Sequence, residues 1–161
     1  MAMKVLAGIL ALVLGLALLE GQVVAVDRDP VDLTQPQSPD LEAGRKAVEA
    51  KDFTAALGHL TKAAGETPKD ADVHNLLGYT YRNLRQFDKA MEHYRIALQL
   101  DPRHRGAHEY IGELYLEMGQ LANAENQLAA LYKACPWFGR CPEHDDLKEA
   151  IEKYKAKKQK S

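Results

Sequence analysis

Residues 71–104, ADVHNLLGYTYRNLRQFDKAMEHYRIALQLDPRH, decide how the rest of the chain reads. Leu77 and Tyr81 fall one helical turn apart, and Phe87, Ala90, Tyr94 and Ala97 continue the same period in the second half. Pro102 lacks an amide N–H and biases the residue before it away from helix, so it closes the second stripe. Gly78 and Ala90 are small enough for two backbones to approach closely, with the larger Leu, Tyr and Phe side chains filling the space around them. The stretch reads as two helices joined by a short turn.

The pattern recurs at a fixed distance on both sides. Pro68, Pro102 and Pro136 lie 34 residues apart, as do Gly44, Gly78 and Gly112, and Ala56, Ala90 and Ala124. Phe53, Phe87 and Leu121 keep the interval, and so do Leu60, Tyr94 and Leu128, and Ala63, Ala97 and Leu131. A period of this length marks a repeat architecture, here in frames 37–70, 71–104 and 105–138. Ser38 before Pro39, with Asp40 and Glu42 in the first turn, starts the first helix. A lone unit cannot bury both faces of its helices, so neighbours stack and the end needs a polar cap. Residues 139–161 supply one. After a turn at Gly139, Leu147, Ala150, Ile151 and Tyr154 form an apolar stripe on a helix from Pro142 to Lys158, acidic at its start and rich in lysine at its end.

These positions resemble the tetratricopeptide repeat (TPR), most closely in the middle frame through Leu77, Gly78, Tyr81, Ala90, Tyr94, Ala97 and Pro102. The expected fold is all-α: an α-solenoid of three helix-turn-helix repeats over 37–138 plus a C-terminal capping helix. Asp40, His74 and His108 stand where the family often has a large apolar residue, which implies weaker local packing there. The resemblance implies a concave groove lined by the first helix of each repeat, binding an extended peptide or a partner's helix. Its positions here are Leu41, Arg45, Val48 and Glu49, then Asn75, Tyr79, Arg82 and Asn83, then Glu109, Glu113, Leu116 and Glu117. Arg45 and Arg82 toward one end and the glutamates toward the other suggest a polarised face that orients a ligand. Family members that grip a C-terminal carboxylate use Lys and Asn where this chain has Leu41, Arg45, Leu76, Gly106 and Tyr110, so that clamp is not expected.

Outside the repeats, Val5 to Leu19 is uncharged and apolar, follows Lys4, and precedes Val23-Val24-Ala25. Residues 1–25 read as a signal peptide cleaved after Ala25, with 26–36 as a polar linker. The export implied is to the periplasm or the exterior. The rival reading is a retained anchor over residues 5–26, facing outside the cytoplasm, the one case in which membrane attachment is expected. The whole chain of 161 residues has 21 basic and 23 acidic side chains, a balance without the basic excess that nucleic-acid binding needs.

Cys135 and Cys141 are the two cysteines, and in an exported chain they read as a disulfide tying the last repeat to the cap. Trp137 and Phe138, inside that loop, are expected in the core between repeat and cap; the alternative is an exposed aromatic knob. His104 and His108 share a face if the helix reaches back to His104, but no third ligand accompanies them at diagnostic spacing, so His108 reads as a packing residue. With no nucleophile or phosphate-loop motif, no catalytic residue, metal or cofactor is expected. The functional expectation is a non-enzymatic protein-interaction module with a protein or peptide partner. A scaffold or assembly factor of a larger envelope complex, acting by docking or self-association, is the alternative, and a metal-dependent or redox activity a remote one.

Overall fold

The computed structural model describes residues 38–160, which form one compact helical unit. The signal peptide, the anchor alternative and the linker all lie outside the described residues. Seven helices follow in order: α1 (Pro39–Glu49), α2 (Phe53–Glu66), α3 (Ala71–Asn83), α4 (Phe87–Leu100), α5 (Arg105–Glu117), α6 (Leu121–Ala134) and α7 (Pro142–Gln159). α1–α2, α3–α4 and α5–α6 are antiparallel pairs, and α3 packs on α1 and α5 as well as on α2 and α4. The result is an all-α repeat solenoid, as the 34-residue period requires.

Each hairpin turns through the same device. Lys51, Arg85 and Gly119, spaced 34 apart, all take left-handed backbone, with φ of 60°, 62° and 76°. Around them the amides of Asp52, Gln86 and Gln120 reach back to the carbonyls of Ala47, Tyr81 and Tyr115, and those of Lys51, Arg85 and Gly119 to Val48, Arg82 and Leu116. This is the Schellman arrangement, which satisfies carbonyls that the helix end would leave unpaired. Helix starts are capped by side chains: Ser38, Asp52 and Asp70 accept from the amides of Leu41, Ala55 and Val73. His104 does the same for Ala107 through Nδ1 at 3.1 Å. His104 therefore precedes α5, so it does not share a helix face with His108.

The small residues set the packing distance. A Cβ on Gly44 would meet the Leu60 side chain at 2.6 Å, and one on Gly78 would fall against the Tyr94 ring. Leu60 and Tyr94 are fully buried and come from the partner helix of the same repeat. In the third repeat the equivalent slot, beside Gly112, holds Leu147 of α7 at 2.6 Å instead. α7 packs more extensively on α5 than on α6, burying Leu147 and Ile151 in a cluster with Ala124 and Leu131. The cap is built into the third repeat rather than laid over its end.

The departures from the family's apolar first position are matched by polar partners 19 residues on. Asp40 pairs with His59 at 2.7 Å, His74 with His93 at 3.1 Å, and His108 with Gln127 at 2.9 Å. His74 and His108 also donate from Nε2 to the carbonyls of Pro68 and Pro102, at 3.0 and 3.1 Å. The expected packing weakness is thus replaced by hydrogen bonds that fasten each first helix to its partner helix and, for α3 and α5, to the preceding turn. Both histidines are buried, and satisfied buried polar groups avoid the desolvation penalty of unpaired ones.

The cysteines are joined, with Cα atoms 5.8 Å apart, closing the loop between α6 and α7. Trp137 and Phe138 are not core. They are 93% and 86% exposed, because a loop closed within seven residues projects its middle away from both helices.

Candidate functional site

α1, α3 and α5 bring the predicted groove residues to neighbouring positions, but many of those side chains are already engaged with one another. Arg45 on α1 donates to Asp72 on α3 at 3.2 Å, and Asp72 also accepts from His104 Nε2 at 3.0 Å. The His104 hydrogen bond first, then the nearby charge of Arg45, hold the Asp72 carboxyl below its ordinary range against the opposing effect of burial. At the other end of α3, Arg82 donates to Glu113 and, at 2.6 Å, to Glu117, whose other oxygen accepts from Arg85 at 2.7 Å. Burial alone would lower the Arg82 pKa, but the two glutamates outweigh it and raise it, so this guanidinium is permanently charged.

The expected polarity of the groove is therefore cancelled locally. Arg45 and Arg82 do not form a separate basic end, because each is neutralised by acids of the next repeat. Arg82, with only 16% of its side chain exposed, acts as a link between α3 and α5. A largely buried guanidinium shared between two carboxylates holds its rotamer better than an exposed pair does.

Three further predicted positions are covered. Asn75 is 8% exposed, with its amide nitrogen 3.1 Å from where a Cβ on Gly106 would sit. Leu116 packs against the cluster shared by α6 and α7. Glu109 is half-buried and faces the start of α7: burial first, then Glu113, Asp146 and Glu143, push its pKa up to about 8, with Arg82 opposing. The cap helix thus packs against the end of the groove where the glutamates were expected to form an acidic face. Glu49 lies exposed at the end of α1.

What stays open is a cleft of about 300 Å³ lined by Tyr79, Arg82, Asn83, Arg85, Glu113 and Glu117. Tyr79 packs edge-on against Phe53 at 6.1 Å and against Tyr110 at 4.9 Å, an aromatic run linking the three repeats. Tyr110, pushed up to about 12 chiefly by burial, is a neutral phenol. Asn83 donates its amide to the Tyr79 carbonyl at 2.9 Å, which fixes its orientation and leaves the amide oxygen for another partner. Asp72, Arg85 and the capping role of His104 escaped the sequence reading. Asp72 and Arg85 lie outside the groove positions of the first helices, and it is their pairing with Arg45 and Glu117 of the neighbouring repeats that ties them to the face.

Residues 71–104 match the sequence profile of the tetratricopeptide repeat. That segment is one TPR unit. The inactive TPR repeat-containing thioredoxin TTL3 of Arabidopsis thaliana is 26% identical over 104 residues, 63% of this chain, which spans only 14% of that protein's length. Among solved structures, the first TPR of Spaghetti (RPAP3) bound to the HSP90 peptide SRMEEVD superposes with a TM-score of 0.61 at 18% identity, covering 73% of this chain and 90% of that one. The TPR2B domain of yeast Sti1 in complex with pHsp70 gives 0.64 at 18%, covering 71% and 94%. At this identity the likeness is one of fold, and the described helices have the TPR fold. TPR domains are protein-interaction modules.

Proposed function

We propose that this chain is a non-enzymatic protein-interaction module that holds an extended peptide or a partner helix in the concave cleft between α3 and α5. The observation that carries the reading is the cleft itself: Tyr79 offers a ring edge, Asn83 an oriented amide, and Arg82 and Arg85 are set by Glu113 and Glu117 before any ligand arrives. A surface ordered in advance loses little entropy on binding. Two fold relatives carry peptide or protein ligands, the HSP90 peptide on Spaghetti and pHsp70 on Sti1, which supports the class of partner. The ion-paired arginines and the buried Asn75 argue for a ligand held along its backbone and side chains rather than by a terminal carboxylate.

The site of action in this proposal is the periplasm or the exterior, reached through residues 1–25. The charge and apolar pattern of that segment and the cysteine pairing both favour it. A role as scaffold or assembly factor of an envelope complex is the second reading, favoured by the exposed aromatic pair beside the cap.

Affinity recovery from an extract of the source cell envelope tests the groove. A Tyr79→Ala, Asn83→Ala double variant, folded by circular dichroism, is expected to recover the partner at least about tenfold less well than the wild type. Equal recovery contradicts groove binding.

A further inference from the structure

Trp137 and Phe138 sit at the tip of the loop closed by Cys135 and Cys141, their rings 6.1 Å apart and 18° from parallel. At 93% and 86% exposure they make no use of the core, while Tyr132, five residues earlier near the end of α6, is 73% exposed. Leaving two large aromatic side chains in water forgoes on the order of 400 Å² of apolar burial. A covalently closed loop holds them there, so the pair cannot fold back as a longer loop would. A rigid aromatic projection of this kind is what interface anchors are made of.

A cleft of about 600 Å³ opens at the base of the same loop. Pro102, Ala129, Ala130 and Ala134 supply apolar wall, and Arg103 and Lys133 supply cations. Arg103 is steadied there by donating to the Ala134 carbonyl at 3.4 Å. Small methyl groups leave room for flat rings, and a cation placed over a ring face is attracted by its quadrupole. His108 and Asn126 complete the lining, and the methyl and cationic walls together suit a pair of stacked rings.

We infer that Trp137 and Phe138 of one copy dock in the Pro102–Ala134 cleft of a second copy, so that the chain forms a two-fold dimer through its cap end. Projection and cleft lie within a few residues of each other on one surface, which is the self-complementary layout an isologous interface needs. The area is also sufficient. Each copy loses roughly 400 Å² from its aromatic pair and roughly 100 Å² from the cleft wall it presents, so the two copies together bury about 1,000 Å², the lower bound of a specific interface and enough for a weak, concentration-dependent dimer. A lipid surface would use the aromatic pair but not the cleft, and is the less complete occupant.

Trp137 is the only tryptophan in the chain, so its emission reports on the contact directly. The test uses residues 26–161, which keep every helix and core cluster described above, with mass measured by light scattering over a concentration series. The expected result is a concentration-dependent dimer whose formation shifts Trp137 emission to the blue. Trp137→Ala with Phe138→Ala, and separately Ala129→Glu in the exposed cleft wall, are each expected to weaken the dimer at least about thirtyfold with unchanged helix content. Tyr79→Ala leaves it intact, which separates this contact from the groove. A wild-type chain that stays monomeric, a dimer that survives either cap-end variant, or a blue shift seen only with vesicles of phosphatidylethanolamine and phosphatidylglycerol would each overturn the assignment.

Discussion

Lys51, Arg85 and Gly119 occupy the same turn position in the three repeats, and only one of them is a glycine. A side chain in left-handed backbone costs on the order of 1 kcal/mol. Lys51 is exposed, so Lys51→Gly removes the strain with little else at stake. It is expected to stabilise by about 1 kcal/mol in urea unfolding, less the backbone entropy of the added glycine. Arg85→Gly would gain the same relief but lose the Glu117 pair and the contact of its guanidinium with the Phe87 ring, 4.6 Å away, so no net gain is expected there. Glu109 offers a second test at this scale. Its pKa in the fold is about 8 against an ordinary 4.5, raised by burial, Glu113, Asp146 and Glu143. A carboxyl raised on folding contributes its stabilisation in full below the unfolded value and loses it as pH rises through the folded one. The melting temperature should therefore fall between about pH 5 and pH 8, and Glu109→Gln should flatten that fall. At pH 8 the variant is expected to be more stable by about 1 kcal/mol, after discounting for the partial exposure of the group. Parallel pH profiles for the two proteins would contradict it.

At the scale of the helix, the 34-residue period was legible because the same physical demand recurs in every unit: small residues where helices touch, proline where the second helix ends. The turn device was not legible, since Lys, Arg and Gly share no side-chain chemistry and only their backbone angle is common. The placement of α7 was half legible. Leu147 and Ile151 mark its buried face, but nothing in the spacing says that Leu147 displaces Leu128 from the slot beside Gly112. For Trp137 and Phe138 the exposed alternative is the one that holds, since size and hydrophobicity favour the core but the short closed loop projects its tip away from both helices. The disulfide's contribution belongs to this scale too. Closing so short a loop stabilises by about 2 kcal/mol in the chain-entropy view. Replacing both cysteines by serine is expected to cost about that much and to raise hydrogen exchange in α7 before any other helix. Uniform loss of protection across all helices would count against a local role for the bridge.

For the whole molecule, the groove was foreseen from fold resemblance and then reshaped by contacts between repeats. Arg45 and Arg82 were legible as residues of the face, but their partners Asp72, Glu113 and Glu117 come from the next repeat, so only the stack reveals that they are staples. Reversing Arg82 to glutamate should consequently cost stability as well as binding: Arg82→Glu faces Glu113 and Glu117 with a third carboxylate, and a loss of about 2 kcal/mol or more is expected. Asn83 makes no such link, and Tyr79 joins the repeats through ring contacts alone, so the two are the better probes of the groove. The central claim is that partners enter the cleft at Tyr79 and Asn83. Photo-crosslinking from a reactive residue placed at Asn83, compared with one at the exposed Arg95 on α4, tests it most directly. The account predicts a crosslinked partner from position 83 that is absent from position 95 and lost on adding Tyr79→Ala. Equal crosslinking from both positions, or a product that survives Tyr79→Ala, would contradict it.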